Sequence, residues 1–161
     1  HINNLHNASV DIPIMLAPNT SITANLVAIF AKKAAKILKE YDAEIIDYHH
    51  NQKKDAPSGT AMMIGQEIAT SRNQQLPDIA NFQSGSRGLR KPGEIGFSSI
   101  RAGGIFGDNE VIFASDADMI SIKSSAITRE AFAQGALQLA KWIVDKPPGK
   151  LFNIQDFLNI F

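Results

Sequence analysis

The amino-acid sequence predicts an α+β fold, a mixed sheet of about four strands with two long helices and one shorter helix packed on one face. Apolar residues keep helical spacing over 24–41 and again over 128–144. Between these segments lie a strand-like stretch at 44–49 and three further runs, 95–101, 110–115 and 119–124. One early strand and three consecutive strands between helices favour the α+β class over a regular βαβ alternation.

In the first half of the chain, the apolar residues 12–16 predict a short buried strand. Thr20 or Ser21 can cap the long helix that follows, whose outer lysines we interpret as a solvated face. The shorter helix is predicted from Ser58 to about Ser71. Residues 72–92 are polar and show no sustained period, so we expect a long loop there.

In the second half, Ile120, Ile122 and Ser124 alternate with Met119, Ser121 and Lys123, which is the period of a sheet with one solvated face. The turns between the three consecutive strand-like runs contain glycine, aspartate and asparagine, which suits hairpins. The second long helix is expected to stop at Pro147 and Pro148. A short helix is expected over 153–158.

The composition excludes several classes of function. Lysine plus arginine and aspartate plus glutamate number 16 each, so the basic excess typical of nucleic-acid binding is missing. The chain has no cysteine, which excludes disulfides and thiolate metal sites and suits a cytoplasmic protein. No apolar run is long enough for a membrane helix. The first residues resemble the middle of a chain more than a signal peptide, and we expect a longer protein.

The candidate catalytic residues follow the strand at 44–49. His49 and His50 are adjacent and point to opposite faces of a strand, so they cannot both bind one metal without a bend, and no metal site is predicted. His49 and Lys53 are four residues apart across the strand exit, where a loop can turn both onto one ligand. Histidine and lysine side chains can both deliver protons. The alternative interpretation is a structural histidine and a solvated lysine.

Ser58, Gly59 and Thr60 begin the shorter helix and form a candidate anion site. The unpaired N–H groups and the positive end of the helix dipole attract a carboxylate or a phosphate, and Gly59 permits close approach. The alternative is an ordinary N-cap. The glycines at 103–107 do not form a dinucleotide-binding turn, and Ser58 lacks the flanking glycines of a nucleophile elbow.

The stretch Glu44…His49-His50…Lys53…Asp55-Ala56-Pro57-Ser58-Gly59-Thr60-Ala61 closely resembles the 4-hydroxy-tetrahydrodipicolinate reductase (dihydrodipicolinate reductase) family of bacterial lysine biosynthesis. The resemblance covers nearly all of the chain. It includes four further segments: Ala17-Pro18-Asn19, Gly93-Glu94-Ile95-Gly96, Arg101-Ala102-Gly103 and Thr128-Arg129 with Phe132-Ala133.

The resemblance implies an NAD(P)H-dependent oxidoreductase that acts as a cytoplasmic homotetramer on a small cyclic dicarboxylate in lysine (diaminopimelate) biosynthesis. Residues 1–18 would be the end of an N-terminal dinucleotide-binding (Rossmann) domain, and 19–161 the substrate-binding and tetramerisation domain. NADH or NADPH would be bound mostly by the N-terminal domain, so this chain alone is expected to be inactive. No partner of the nucleic-acid or membrane class is implied.

The resemblance also implies residue roles. NADH or NADPH gives a hydride to C4 of a cyclic imine or diene, with His49 as the proton donor and Lys53 as a second acid. The other roles are substrate-carboxylate binding by His50, Gly59 and Thr60, and contact with the nicotinamide by Ala17, Pro18, Asn19 and Thr20, with Arg129 as a weaker candidate.

Two positions depart from the family pattern, which often has histidine where Asn109 and Ser124 stand. We expect them to lie away from the loop that carries Lys53 and to affect local hydrogen bonding more than chemistry. Two other functions stay open: a catalytically silent oligomerisation module, and a metal-independent lyase that uses the His49–Lys53 pair without nicotinamide. A requirement for the cofactor separates the reductase from both.

Overall fold

The computed structural model describes residues 1–82 and 88–159. In chain order its elements are α1 (Ile2–Ala8), β1 (Ile14–Leu16), α2 (Ile22–Ile37), β2 (Asp42–His49), α3 (Gly59–Ser71), α4 (Leu76–Ile79), β3 (Ala80–Phe82), β4 (Ile95–Arg101), β5 (Asp108–Ala114), β6 (Met119–Ser125), α5 (Glu130–Ile143), β7 (Leu151–Asn153) and α6 (Ile154–Leu158). The chain forms two compact units, residues 26–127 and residues 1–25 with 128–161. No described helix has the length and hydropathy needed to cross a membrane.

The unit of residues 26–127 contains a five-stranded mixed sheet with the order β3-β4-β2-β5-β6. β2 lies at its centre and pairs in parallel with β4 and antiparallel with β5. Alternate residues of β2, namely Ala43, Ile45 and Asp47, are fully buried, so one face of the strand belongs to the core. The apolar side chains on that face pack with α2 and α3.

Serine side chains mark where α2 and α3 begin. The Ser21 hydroxyl accepts a hydrogen bond from the Ala24 N–H at 3.3 Å, and the Ser58 hydroxyl accepts one from the Ala61 N–H at 3.2 Å. Each serine therefore satisfies one of the N–H groups that a helix leaves unpaired at its start. Small side chains on α2, among them Ala28, Ala31 and Ala35, are buried and let the helix approach the sheet closely.

The unit of residues 1–25 and 128–161 contains β1 and β7, paired in parallel, together with α5 and α6. Trp142 on α5 makes edge-on contacts with Phe152 and Phe157, with ring centroids 5.4 and 5.8 Å apart. The short helix expected at 153–158 is α6, and the Asn153 side chain caps its start. Gly135 on α5 lies against the Thr20 carbonyl, where a side chain would overlap the backbone.

The α+β class and the mixed sheet are confirmed, and three details differ. The expected loop at 72–92 contains α4 and β3, which adds a fifth strand. The expected hairpin between β4 and β5 does not form, because β2 lies between them, whereas the β5–β6 hairpin does. Residues 83–87 of the expected loop lie outside the described residues. The strand expected at 12–16 is shorter, and Ile12 is 56% exposed.

The second long helix is confirmed as α5, and it belongs to the compact unit of residues 1–25 and 128–161. Its apolar spacing was a correct signal for a helix. The core of the five-stranded sheet is formed with residues of α2, α3 and α4.

Candidate active site

The candidate site is built where β2 ends and the chain turns toward α3. Asp47 and His49 are two residues apart on β2, so their side chains leave the strand on the same face. His49 Nδ1 lies 3.0 Å from Asp47 Oδ1, and the His49 side chain is 13% exposed. The imidazole is thus held by a buried carboxylate on one side.

Asp47 is fully buried and is contacted by groups from several elements. Arg101 Nη1, at the end of β4, lies 2.8 Å from Asp47 Oδ1. The Ser99 hydroxyl donates to Asp47 Oδ2 at 2.5 Å, and the Ser58 N–H donates to the same oxygen at 3.4 Å. A buried charge requires such partners, because an unpaired carboxylate would be too costly to desolvate.

Burial lowers the pKa of His49 below its usual value, and the positive charges of Lys53 and Arg101 act in the same direction. Asp47 opposes this shift and raises the pKa of His49. The imidazole is therefore mostly neutral near pH 7 in the free site. A methyl group built on Gly107 would stand 3.1 Å from His49 Nε2, so the absence of a side chain there leaves space beside this nitrogen.

Lys53 lies in the loop after β2, near enough to His49 to act on its pKa. Its Nζ is 2.8 Å from Asp55 Oδ1, and this hydrogen bond lowers the pKa of Asp55. Arg101 fixes the same loop by donating to the Asp55 carbonyl at 2.8 Å. The two proton-donor candidates predicted from the sequence are thus close to each other.

The start of α3 borders the same loop. Ser58 is buried and serves as the N-cap, whereas Gly59 is exposed and a methyl group built on it would meet no atom within 4 Å. No described residue accepts a hydrogen bond from the Gly59 N–H. This N–H and the positive end of a helix of 13 residues suit an anion. Thr60 follows in the first turn, half-buried.

His50 occupies the residue after β2 and is half-buried. Its carbonyl accepts a hydrogen bond from the Lys53 N–H at 3.1 Å. Within the described part of the chain, its imidazole has no hydrogen-bond partner. The adjacent histidines therefore differ in environment, since only His49 is tied to a carboxylate.

The predicted cofactor residues lie in the unit of residues 1–25 and 128–161. Ala17 and Thr20 border a cavity of about 260 Å³, lined mostly by apolar side chains that include Leu139 and Ile143. The Thr20 hydroxyl donates to the Phe132 carbonyl at 2.8 Å. In the same loop, Asn19 Oδ1 accepts a hydrogen bond from the Ser21 N–H at 2.8 Å, and Pro18 is exposed. Arg129, the weaker candidate, is exposed at the N-cap of α5.

The sequence did not predict that Asp47, Ser99 and Arg101 form a group around His49. Asp47 could have been found, because the period of two places it on the same face as Ala43 and Ile45, where a carboxylate needs partners. Ser99 and Arg101 could not, since their roles depend on the pairing of β4 with β2.

Glu44, the first residue of the stretch that resembles the reductase family, lies apart from this cluster. Its carboxylate pairs with Arg90, which also contacts Asp42 Oδ1 at 2.8 Å and the Ala43 carbonyl at 2.8 Å. Gly96 on β4 is its register partner, and any side chain there would overlap the Glu44 carboxylate. Glu44 therefore belongs to the framework of the sheet.

The two departures from the family pattern lie nearer to the site than expected. Asn109 is the register partner of Asp47 on one side and of Ser124 on the other. Asn109 and Ser124 are 4% and 9% exposed, and Asn109 Oδ1 is buried without a hydrogen-bond donor among the described residues. The reason is the position of β5 directly beside β2. Within the described residues, no group of three or more histidine or acidic side chains is placed to hold a metal ion.

The chain is similar to known proteins of one family. The family model for the C-terminus of dihydrodipicolinate reductase matches residues 23–158. The 4-hydroxy-tetrahydrodipicolinate reductase of Rickettsia canadensis is 41% identical over 161 residues, which is 100% of this chain and 65% of that protein. The enzyme of the same name from Nitrosospira multiformis is 43% identical over 155 residues, or 95% of this chain and 57% of that protein.

A solved structure, the dipicolinate-bound dihydrodipicolinate reductase from Paenisporosarcina sp. TG-14, superposes with a TM-score of 0.76 at 27% identity. The match covers 99% of this chain and 60% of that one. The chain thus spans about three fifths of the length of these relatives. It belongs to the dihydrodipicolinate reductase family, whose C-terminal part it matches.

Proposed function

We propose that this chain is the substrate-binding and proton-donating part of a longer cytoplasmic reductase that acts on 4-hydroxy-tetrahydrodipicolinate or dihydrodipicolinate in lysine (diaminopimelate) biosynthesis. The observation that carries the proposal is the cluster of His49, Asp47 and Lys53 beside the start of α3. The relatives' shared name and the dipicolinate bound to one of them, a cyclic dicarboxylate, support it. Residues 1–18 would close the dinucleotide-binding domain, with 19–161 as the substrate domain.

In this proposal, His49 gives a proton from Nε2 to a ring carbon of the substrate, and Lys53 acts as a second acid. The nicotinamide, NADH or NADPH, supplies the hydride. His50, Gly59 and Thr60 bind the substrate carboxylates, since a helix N-terminus stabilises negative charge. The pKa of His49 is lowered in the free site, and the negative charge of a bound dicarboxylate would raise it again. The acid would thus take up its proton mainly when substrate is present.

The loop Ala17–Thr20 suits the nicotinamide end of the cofactor. A flat ring fits the apolar cavity beside Ala17 and Thr20, but a cavity of about 260 Å³ does not hold a whole dinucleotide. The glycine-rich turn that binds the pyrophosphate is also missing from the sequence. We therefore expect the 161-residue chain alone to bind NADH or NADPH weakly and to be inactive. Micromolar binding by calorimetry would contradict this.

We also propose that the chain assembles into a homo-oligomer, a tetramer by family resemblance. The sheet face opposite the core exposes apolar side chains, with Ile100 at 41% and Met119 at 67%. Such a face commonly marks an interface. Replacing Ile100 and Met119 by lysine should shift the protein toward smaller species in light scattering. A monomeric wild-type protein at micromolar concentration would argue against assembly.

The test of the reaction uses the full-length protein and follows the consumption of reduced nicotinamide. His49→Gln should lower kcat about 10²- to 10⁴-fold with a smaller change in KM, since a general acid acts in the transition state. Lys53→Ala should lower kcat and weaken substrate binding, whereas Thr60→Ala and His50→Gln should act mainly on KM. His6→Gln is the matched control, because His6 is exposed on α1.

Three outcomes would contradict the assignment. If His49→Gln kept its kcat while His50→Gln lost it, the roles of the two histidines would be exchanged. If activity did not require NADH or NADPH, the lyase alternative would replace the reductase. If no activity could be measured, the silent oligomerisation module would replace it. The pH dependence gives a further check, since kcat should fall at a higher pH than kcat/KM if substrate raises the pKa of His49.

A further inference from the structure

The mechanism above uses His49 but leaves the fully buried Asp47 carboxylate without a role. Asp47 lies on the core face of β2, in line with Ala43 and Ile45. An apolar side chain would serve packing at that position without the cost of desolvating a charge. The contacts of the carboxylate should therefore indicate its role.

Its contacts fix both oxygens from different elements. Oδ1 faces His49 Nδ1 at 3.0 Å and Arg101 Nη1 at 2.8 Å. Oδ2 accepts from the Ser99 hydroxyl at 2.5 Å and from the Ser58 N–H at 3.4 Å. Donors on β4 and at the start of α3 hold the carboxylate, so it cannot turn away from the imidazole.

We propose that Asp47 is the positioning residue for His49: it accepts the Nδ1 proton and so directs Nε2 to the open space beside Gly107. This inference rests on the proposed function, in which Nε2 delivers the proton. A neutral imidazole has one N–H donor and one acceptor nitrogen. With Nδ1–H on Asp47, only Nε2 can exchange a proton with the substrate.

The same carboxylate connects the acid to the anion site. Ser58 donates its N–H to Asp47 and accepts the Ala61 N–H with its hydroxyl, so it joins β2 to the first turn of α3. The groups proposed to bind the substrate carboxylates and the group proposed to donate the proton thus share one anchor. A displacement of about 1 Å between such groups can cost about 100-fold in rate.

Electrostatics adds a second contribution. The charged groups that act on His49 are Asp47 on β2, Lys53 in the following loop and Arg101 at the end of β4. Burial and the two cations lower the pKa of His49, and Asp47 is the one acid that raises it. Without the Asp47 charge, the imidazole would carry its proton only at lower pH.

The test is a double-mutant cycle in the full-length protein with Asp47→Asn and His49→Gln. Asp47→Asn should lower kcat about 10- to 100-fold and change KM little. In the His49→Gln background the same substitution should change kcat less than about twofold, because its effect passes through the imidazole. Asp47→Glu should recover part of the loss, since it restores the charge.

Glu94→Gln is the matched control. Glu94 is 8% exposed and is hydrogen-bonded to Asn81, so its amide variant also neutralises a buried carboxylate, but away from His49. It should lower stability without changing kcat. An equal kcat loss from Asp47→Asn in both backgrounds would mean a structural role and overturn the inference, as would an unchanged kcat. If His49→Gln itself had no effect, the proposed function would fail instead.

A measurement on the unsubstituted protein covers the case in which Asp47→Asn does not fold. The ¹⁵N shifts of His49, recorded in the full-length protein above the pKa of His49, report which nitrogen carries the proton. The Nδ1–H form is expected. The Nε2–H form would overturn the inference whatever the variants do, because a carboxylate cannot accept from a bare Nδ1. In Asp47→Asn, the fall of kcat/KM with pH should begin at lower pH.

Discussion

Replacing Gly96 by alanine should destabilise the protein only while the Glu44 side chain is present. Gly96 on β4 and Glu44 on β2 are register partners. A methyl group built on Gly96 would overlap the Glu44 carboxylate. The end of a glutamate side chain can move, so the backbone need not shift, but the movement breaks the ion pair with Arg90.

The size of the effect follows from the burial of that ion pair. The Arg90 and Glu44 side chains are 19% and 24% exposed, so the pair is stronger than a surface salt bridge. Hydrogen bonds to charged groups contribute about 1.5–3 kcal/mol. Alanine in place of glycine returns about 0.4–1 kcal/mol by restricting the unfolded chain. The net loss in free energy of unfolding is then about 1–2 kcal/mol, with Arg90 still bound to Asp42 at 2.8 Å.

The assay is urea unfolding followed by far-UV circular dichroism, with the Tm as a second measure. Fluorescence is less suitable, because the single tryptophan, Trp142, lies in the compact unit that does not contain Gly96. The Tm should fall by about 2–8 °C for a chain of this size. In a Glu44→Ala background, Gly96→Ala should be neutral or stabilising. An equal loss in both backgrounds would refute the reasoning, because the overlap would then involve another group.

Three further outcomes are expected. Gly135→Ala should cost about 1–3 kcal/mol in thermal unfolding, because its methyl group would overlap the Thr20 carbonyl, a backbone atom that cannot rotate away; Gly104→Ala, with no atom within 4 Å, is the control. Asn109→Leu should leave the free energy of unfolding unchanged or raise it, because Asn109 Oδ1 is buried without a donor among the described residues. His49 should reduce stability as the pH falls below about 6.5: the pKa of its folded form is lowered, so the unfolded state binds more protons there, and His49→Gln should flatten urea-unfolding stability across that range.

The parts of the fold that could be predicted are those with local causes. Ser21 and Ser58 cap the helices that follow them, and the Asn153 cap marks α6. These signals lie within three residues of the bonds they make. The short elements β3 and β7 were missed, because three residues show no period and each strand exists through its pairing with a distant partner, β4 or β1. The prediction of a β4–β5 hairpin was wrong for the same reason, since turn residues do not reveal which strands pair.

The candidate site divides in the same way. His49 and Lys53 could be chosen from their chemistry and spacing along the chain. The pairing of β2 with β4 then decides which groups surround them, placing Arg101 opposite His49 and Ser99 opposite Asp47. The position of Asn109 was misjudged because β5 pairs with the other edge of β2, which no local sequence pattern reveals.

Two acidic residues of β2 illustrate why residue type alone does not assign a role. Glu44 and Asp47 each pair with an arginine, Arg90 and Arg101, yet they lie on opposite faces of the strand. Glu44 pairs with Arg90, which also binds the start of β2, so the loss of Glu44 should lower stability and leave kcat intact. Asp47 also contacts His49, a titratable group with open space at its other nitrogen, so its loss should reach the chemistry. The difference between the two carboxylates is the His49 imidazole, which Asp47 contacts in addition to its arginine.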